Sequence, residues 1–419
     1  MVAWAQNDDM LSTPLTLEAI EAGEITFKNV ADGPVSYRVN SGDALTIDSK
    51  TTGIIAINAG DKVAFYGDNL QYASSDISSS RISVSSYCYV YGNVMSLISS
   101  TDFVNAKTLT GRMVFCQLFI SNARLRNHPT KTLELPATTL AEYCYYGMFF
   151  GCTGLTKAPT LPATKLAEAC YSNMFYGCTG LTEAPALPAT TLDVGCYSYM
   201  FDACTGLTKA PTLPATTLAE RCYGDMFYGC TGLTEAPALP ATTLEKNSYC
   251  NMFYRCTGLT KTPALPATTL AEGCYAYMFS NCTGLIEASK LPATTLVHEC
   301  YKGMFYDCTN LRSITCLAAD RQASNSTDDW LKGIAPEGTF FKNPSMKDWP
   351  TGANGIPENW TVENYDPTGI GTTTAAKAKG GKAFNLRGMK TTGGKRELRI
   401  VNGKKMMPIP QSQGTRAEQ

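Results

Sequence analysis

The chain has 419 residues, of which 44% are apolar, so it is long enough for two or three domains and a buried core. Charged residues make up only 17% and the formal net charge is −1, a balance that singles out neither nucleic acid nor a membrane surface as a partner. Only two histidines, His128 and His298, leave almost no material for a multi-histidine metal centre or for histidine-dependent catalysis, and no run of 18 apolar residues offers a membrane span.

At the start, Ala3-Trp4-Ala5 before Gln6 fits an A-x-A cleavage site, so residues 1–13 are read as a signal-peptide remnant and leader. Residues 14–75 carry five short, β-branched or alternating runs: 24–28, 35–39, 44–47, 54–58 and 62–66. Turn signals at Asp32-Gly33-Pro34, Ser41-Gly42-Asp43 and Ala59-Gly60-Asp61 separate them, which predicts a small β-sandwich. The stretch 76–134 continues with a strand near Tyr87–Tyr91 and a helix near Val94–Ser99. Toward its end, from Cys116, Leu118 and Phe119 stand for a Met-Phe pair that recurs downstream, and the stretch is read as an N-terminal cap with a degenerate repeat.

Self-similarity then decides the fold. Leu-Pro-Ala-Thr begins at Leu135, Leu161, Leu187, Leu213, Leu239, Leu265 and Leu291, every 26 residues without insertion or deletion, giving seven units over 135–316. A 26-residue unit cannot bury its own apolar face, so neighbours must stack as coils of a solenoid. In the first unit Leu135, Leu140, Cys144, Met148, Phe149, Cys152 and Leu155 are the recurring apolar positions. The i, i+4 spacing of Cys144, Met148 and Cys152 predicts a short helical face, and a short strand is placed at 155–161, narrowed by Pro159 and Pro162.

The order Leu-Pro, spacer, aromatic, then Gly-Cys-Thr-x-Leu-Thr resembles the BspA-type leucine-rich repeats of bacterial surface proteins, over about 180 residues. The resemblance implies a mostly β, leucine-rich-repeat-like solenoid with a short strand and a short helical or irregular return per coil. It also implies a non-catalytic secreted or cell-surface protein of Bacteroides type, with a host or matrix protein or a glycan as partner. The alternative is a structural part of a larger assembly, such as a phage fibre or surface appendage.

Three columns stand out. Lys157, Glu183, Lys209, Glu235, Lys261 and Glu287 alternate in sign, as an ion-pair ladder or a ligand-binding charge stripe would. Cysteines fall in two columns, Cys144, Cys170, Cys196, Cys222, Cys274, Cys300 and Cys152, Cys178, Cys204, Cys230, Cys256, Cys282, Cys308. They are read as buried thiols, with bridges or a metal site as the alternatives. Tyr145, Tyr171, Tyr197, Tyr223, Tyr249, Tyr275 and Tyr301 follow the first cysteine position in every unit. They either form an aromatic ladder over the core or an exposed stripe that would be the ligand-binding surface. A second, incomplete aromatic column holds Phe150, Tyr176, Tyr228, Tyr254 and Tyr306. No catalytic residue, cofactor or metal ligand is assigned.

Residues 317–366 contain Trp330, Trp349 and Trp360, three of the four tryptophans, and are read as a C-terminal cap. The tail, 367–419, carries net charge +9. It reads as a basic linker followed by a short β-hairpin built from 384–389 and 398–407, with Asn402-Gly403 as a turn signal. Secretion or surface display, no nucleic-acid binding and no membrane span complete the expectation; the oligomeric state is left open.

Overall fold

A computed structural model describes residues 8–368 apart from 76, 322–324, 348 and 353, and residues 399–401 and 404–406. The proposed leader up to residue 7, most of the linker and the run 384–389 lie outside the described residues.

A single helical turn, α1 (Asp8–Ser12), leads into eight strands: β1 (Thr16–Ala19), β2 (Gly23–Lys28), β3 (Val35–Val39), β4 (Leu45–Ile47), β5 (Thr52–Ile57), β6 (Lys62–Gly67), β7 (Arg81–Val84) and β8 (Cys88–Asn93). The five alternating runs of the sequence fall on β2 to β6. One sheet has the order β8-β1-β6-β3-β4 and a second the order β5-β2-β7, both antiparallel. Alternation in β2 turns Ile25 and Phe27 inward, and Phe27 meets Phe65 of the other sheet with ring centroids 5.5 Å apart. The helix expected near 94–99 is a 3₁₀ turn at Val94–Leu97, capped by the Asn93 side chain, which accepts from the Met95 N–H.

The edge of the first sheet continues into the repeats. β9 (Leu125–Asn127) and β10 (Leu133–Glu134) both pair with β8, in parallel. Gly92 is required at this crossing: its φ is +85°, and a Cβ there would lie 2.1 Å from the Pro14 carbonyl oxygen.

The repeats close by a device other than helix. From 143 to 152 the N–H groups of Cys144, Tyr146, Met148, Phe150 and Cys152 donate three residues back, while those of Tyr143, Tyr145, Gly147, Phe149 and Gly151 donate to Glu168, Cys170, Ser172, Met174 and Tyr176 of the next coil. Every fourth residue is left-handed: Tyr143, Gly147 and Gly151 here, then Ala169, Asn173 and Gly177, and so on through each coil. The arc is therefore a chain of turns with a period of four. The i, i+4 spacing reflects that period rather than 3.6, and the helical return is corrected to an irregular one. A period of four puts two residues in and two out, so Cys144, Tyr145, Met148, Phe149 and Cys152 are buried while Tyr143, Tyr146 and Phe150 are only half-buried.

The opposite side of each coil is thinner than the expected strand. Between coils it makes isolated parallel bridges, Lys157 to Glu183, Glu183 to Lys209, Lys261 to Glu287, Lys165 to Thr191 and Thr243 to Thr269. Prolines such as Pro159 and Pro162 remove the donors a wider ladder needs.

The stack continues past the last Leu-Pro-Ala-Thr. β11 (Thr295–Leu296) pairs with β13 (Asp320–Arg321), and β12 (Ser313–Cys316), β14 (Thr339–Lys342) and β15 (Thr361–Asn364) form a parallel three-stranded sheet. A further turn arc accepts from the last full unit, with the N–H groups of Tyr301, Gly303, Phe305 and Asp307 donating to Ser326, Asp328, Trp330 and Lys332. Trp330 stacks on Tyr301 at 6.2 Å and on Trp349 at 5.5 Å. Its Nε1 donates to the Gly355 carbonyl, and Trp360 Nε1 donates to that of Ala335. In the separate C-terminal unit, β16 (Arg399–Val401) pairs antiparallel with β17 (Lys404–Met406), on either side of Asn402-Gly403.

Candidate functional site

The seven tyrosines offered as a binding stripe are inside. Tyr145, Tyr171, Tyr197, Tyr223, Tyr249, Tyr275 and Tyr301 are 0–2% exposed and stack ring on ring, with centroids 5.7–6.0 Å apart. Each follows the buried first-column residue, cysteine in six units and Ser248 in the fifth, and so takes the second inward place of a four-residue turn. The exposed-stripe reading is corrected accordingly, and these residues form the aromatic ladder over the core. The ladder runs on through Phe115 to Tyr72 at one end and through Trp330 to Trp349 at the other. A second ladder, Phe119 to Phe305, lies beside it. Burial pushes the phenols far above their ordinary pKa, and the hydroxyls of Tyr145, Tyr223 and Tyr301 have no partner.

The cysteines are free thiols, all buried except the half-buried Cys250. In the second column each Sγ–H donates to a phenylalanine carbonyl of the coil before, Cys178 to Phe149, Cys204 to Phe175 and onward to Cys308 to Phe279, at 3.0–3.1 Å. Cysteine thus supplies a small apolar volume with one weak donor between coils. Burial pushes Cys144, Cys222, Cys282 and Cys300 up to about 12, which removes the thiolate a nucleophile needs. Where Ser248 replaces the first-column cysteine, its hydroxyl is buried without a partner. Among the described residues no group of three or more His, Cys, Asp or Glu could hold a metal ion.

The charge column is exposed, and its stacked neighbours alternate in sign. Lys261 Nζ lies 2.8 Å from Glu287 Oε2. A second ion pair between successive coils joins Lys246 and Glu272, 3.1 Å, at the start of the turn arcs. At this exposure solvent screens each pair, so these columns set the character of the surface more than its stability.

The outer side of the arcs holds the second aromatic column. Phe150 stacks on Tyr176 at 4.5 Å, and Tyr228 on Tyr254 at 4.6 Å. Asp202 stands between the two pairs, in the equivalent place of the intervening coil. It is only 6% exposed, yet its carboxylate makes no hydrogen bond or ion pair. Burial and the nearby Asp225 push it up to about 7. Asp225, in contrast, is partnered: Arg221 Nη2 lies 3.4 Å from its Oδ2 and also donates to the Tyr199 hydroxyl at 3.1 Å. The break in an otherwise aromatic column is visible once the repeats are aligned, but the sequence says nothing of its burial or its lack of a partner.

A second feature lies where the strands meet the first coil. A cleft of about 400 Å³ is lined by Asn127, His128, Lys131, Glu134 and Lys157, with Phe149 and Leu155 behind. Beside it the Tyr91 hydroxyl donates to Glu18 at 2.9 Å, and Lys131 Nζ lies 3.5 Å from the same carboxylate. Burial works against ionised Glu18, but the Tyr91 hydrogen bond and the charges of Lys131, Lys62 and His128 together outweigh it and hold the carboxyl below its ordinary value. His128 packs edge-on against Tyr89 and Tyr91, and its Nδ1 accepts from the N–H groups of Thr130 and Lys131. That fixes its role as the clasp of a turn. His298 is an exposed surface residue.

A family model, BspA type leucine rich repeat region, matches the chain in six copies, over residues 119–260 and 225–325. The first match begins at Phe119, the ring that opens the second ladder. No curated protein and no solved structure matches the chain. Among the described residues no helix is long and apolar enough to cross a membrane.

Proposed function

Taking the chain as a BspA-like leucine-rich-repeat protein, we propose that it is a non-catalytic recognition scaffold, displayed on a cell surface or secreted, whose solenoid presents repeated outer columns to a host or matrix protein or to a glycan. The observation that carries the reading is the division of every coil into a sealed inside and a variable, polar outside. The aromatic and thiol columns are spent on packing, while the sign-alternating column and the second aromatic column face outward at a spacing set by the stack. Such a surface suits repetitive, avid contact better than a single deep pocket. In this reading the N-terminal strands of 14–75 and the 76–134 segment cover one end of the stack, and 317–366 with its tryptophans covers the other.

The test is binding of the full chain to an array of matrix proteins and glycans. Alongside it runs a variant with Lys157→Glu, Glu183→Lys, Lys209→Glu, Glu235→Lys, Lys261→Glu and Glu287→Lys, which inverts the outer charge column without touching the core. Saturable binding that the inverted variant loses is the expected result. A folded chain that binds nothing on the array overturns the reading and makes the solenoid a spacer within a larger assembly.

A further inference from the structure

We propose that Asp202, Tyr176 and Tyr228 form a slot that takes up the guanidinium group of an arginine side chain from a protein partner. The proposal rests on the recognition reading above and adds to it a place and a chemistry.

Three observations carry it. First, the outer aromatic column is built on stacking steps of 4.5 and 4.6 Å, and the two ring pairs are parallel to within 7°. The coil contributing Asp202 leaves one ring out, so the faces of Tyr176 and Tyr228 stand about two steps, roughly 9 Å, apart. That gap has the thickness of one flat group. Second, the hydrogen bonds between coils place Tyr176, Asp202 and Tyr228 in register, since Gly151, Gly177 and Ala203 donate to their carbonyls in turn. The short carboxylate side chain therefore lies at the floor of the gap, and both phenols feel its charge. Third, Asp202 as a residue is only 6% exposed, and no side chain of the protein hydrogen-bonds or ion-pairs with its carboxylate. The other interruption of the same column, Ser280, differs: there Asn281 Nδ2 donates to the serine hydroxyl at 3.0 Å and reaches the Tyr254 hydroxyl at 3.4 Å, so that place is satisfied from within.

A carboxylate in the gap between two stacked ring pairs calls for a cation that is also flat. A guanidinium stacks on both tyrosines and gives its paired N–H groups to the two carboxylate oxygens. An ammonium is a compact, strongly hydrated point charge that leaves most of the ring faces uncovered. The residues that follow the column in these three coils, Gly177, Ala203 and Gly229, carry no long side chain to fill the gap. Arg221 is no substitute from within, being held by Asp225 and Tyr199.

The test uses the full chain at pH 8 with three probes: free arginine, an acetylated and amidated Gly-Arg-Gly peptide, and its Gly-Lys-Gly counterpart. Isothermal titration is the readout. Saturable binding of the arginine peptide is expected, weaker for the lysine peptide. Asp202→Asn and, independently, Tyr228→Ser should each lower the affinity at least about tenfold. Near-equal binding of free arginine would make the source a free metabolite and overturn the protein-partner part. Acid should weaken binding through pH 7 as Asp202 takes up a proton, with Tyr176, Tyr228, Asp225 and Arg221 the ionisable groups facing it. Binding unchanged in folded Asp202→Asn, or no binding of either guanidinium probe, overturns the slot. Array binding that persists in Asp202→Asn leaves the recognition reading standing without the slot. A silent array with a binding arginine peptide does the reverse.

Discussion

Asp202 shows how one residue departs from the repeat and sets a measurable property of the fold. In the folded chain it holds a proton up to about pH 7, whereas the unfolded chain releases it near the ordinary 3.8. Between those values the folded state binds more protons, so the contribution of this group is most favourable below about pH 4 and is lost as pH rises through 7. Thermal melts at pH 5 and pH 8 check it: the parent should lose stability at the higher pH, and Asp202→Asn should flatten that difference and melt higher than the parent at pH 8. The left-handed positions give a second prediction. Gly177 and Gly229 occupy the place held by Ala203 in the coil between them, all with φ between 55° and 67°. Ala203→Gly should therefore stabilise by about 0.5–1 kcal/mol and Gly177→Ala should cost about 1 kcal/mol, read from denaturation midpoints.

Within a coil, most of the buried positions were legible from the repeat pattern alone. Leu155, Cys152, Met148 and Phe149 recur and are buried, as the repeat pattern demands. What the pattern could not give is the backbone that carries them. Apolar residues spaced by four fit a helix and a four-residue turn ribbon alike. Only the left-handed residues separate the two, and here they are Tyr143, Arg221 and Glu299 as often as glycine, so no composition signal announces them. The tyrosine column failed for a related reason: an amphipathic residue two places from a polar one reads equally well as inside or outside until the turn phase is known. Two predictions belong here. Leu207, fully buried, should tolerate neither Ala, at about 2–5 kcal/mol, nor Asp, at more than that, in melting experiments. The buried thiols should resist alkylation at pH 8 in the native chain and react together once denaturant opens the coils, by mass spectrometry.

At the scale of the whole stack, stability should be close to additive, because the hydrogen bonds that leave an arc reach only the neighbouring coils. Removing residues 187–212, one full period, should leave a folded chain that melts somewhat lower. Removing 187–199, half a period, should break both aromatic ladders and abolish near-ultraviolet dichroism. The solenoid itself was readable from the gapless 26-residue period. The extension of the tyrosine ladder to Tyr72 and Trp349 was not, since those rings come from segments with no repeat signature.

The central claim is that the repeats seal their tyrosine ladder and leave recognition to the outer columns. Hydroxyl-radical footprinting of the native full chain tests it directly. The account predicts oxidation at Tyr176, Tyr228, Tyr254 and Tyr306, and protection of Tyr145, Tyr171, Tyr197, Tyr223, Tyr249, Tyr275 and Tyr301 until the chain unfolds. Comparable oxidation of the two sets in the folded chain would contradict it and return the seven-tyrosine column to the surface.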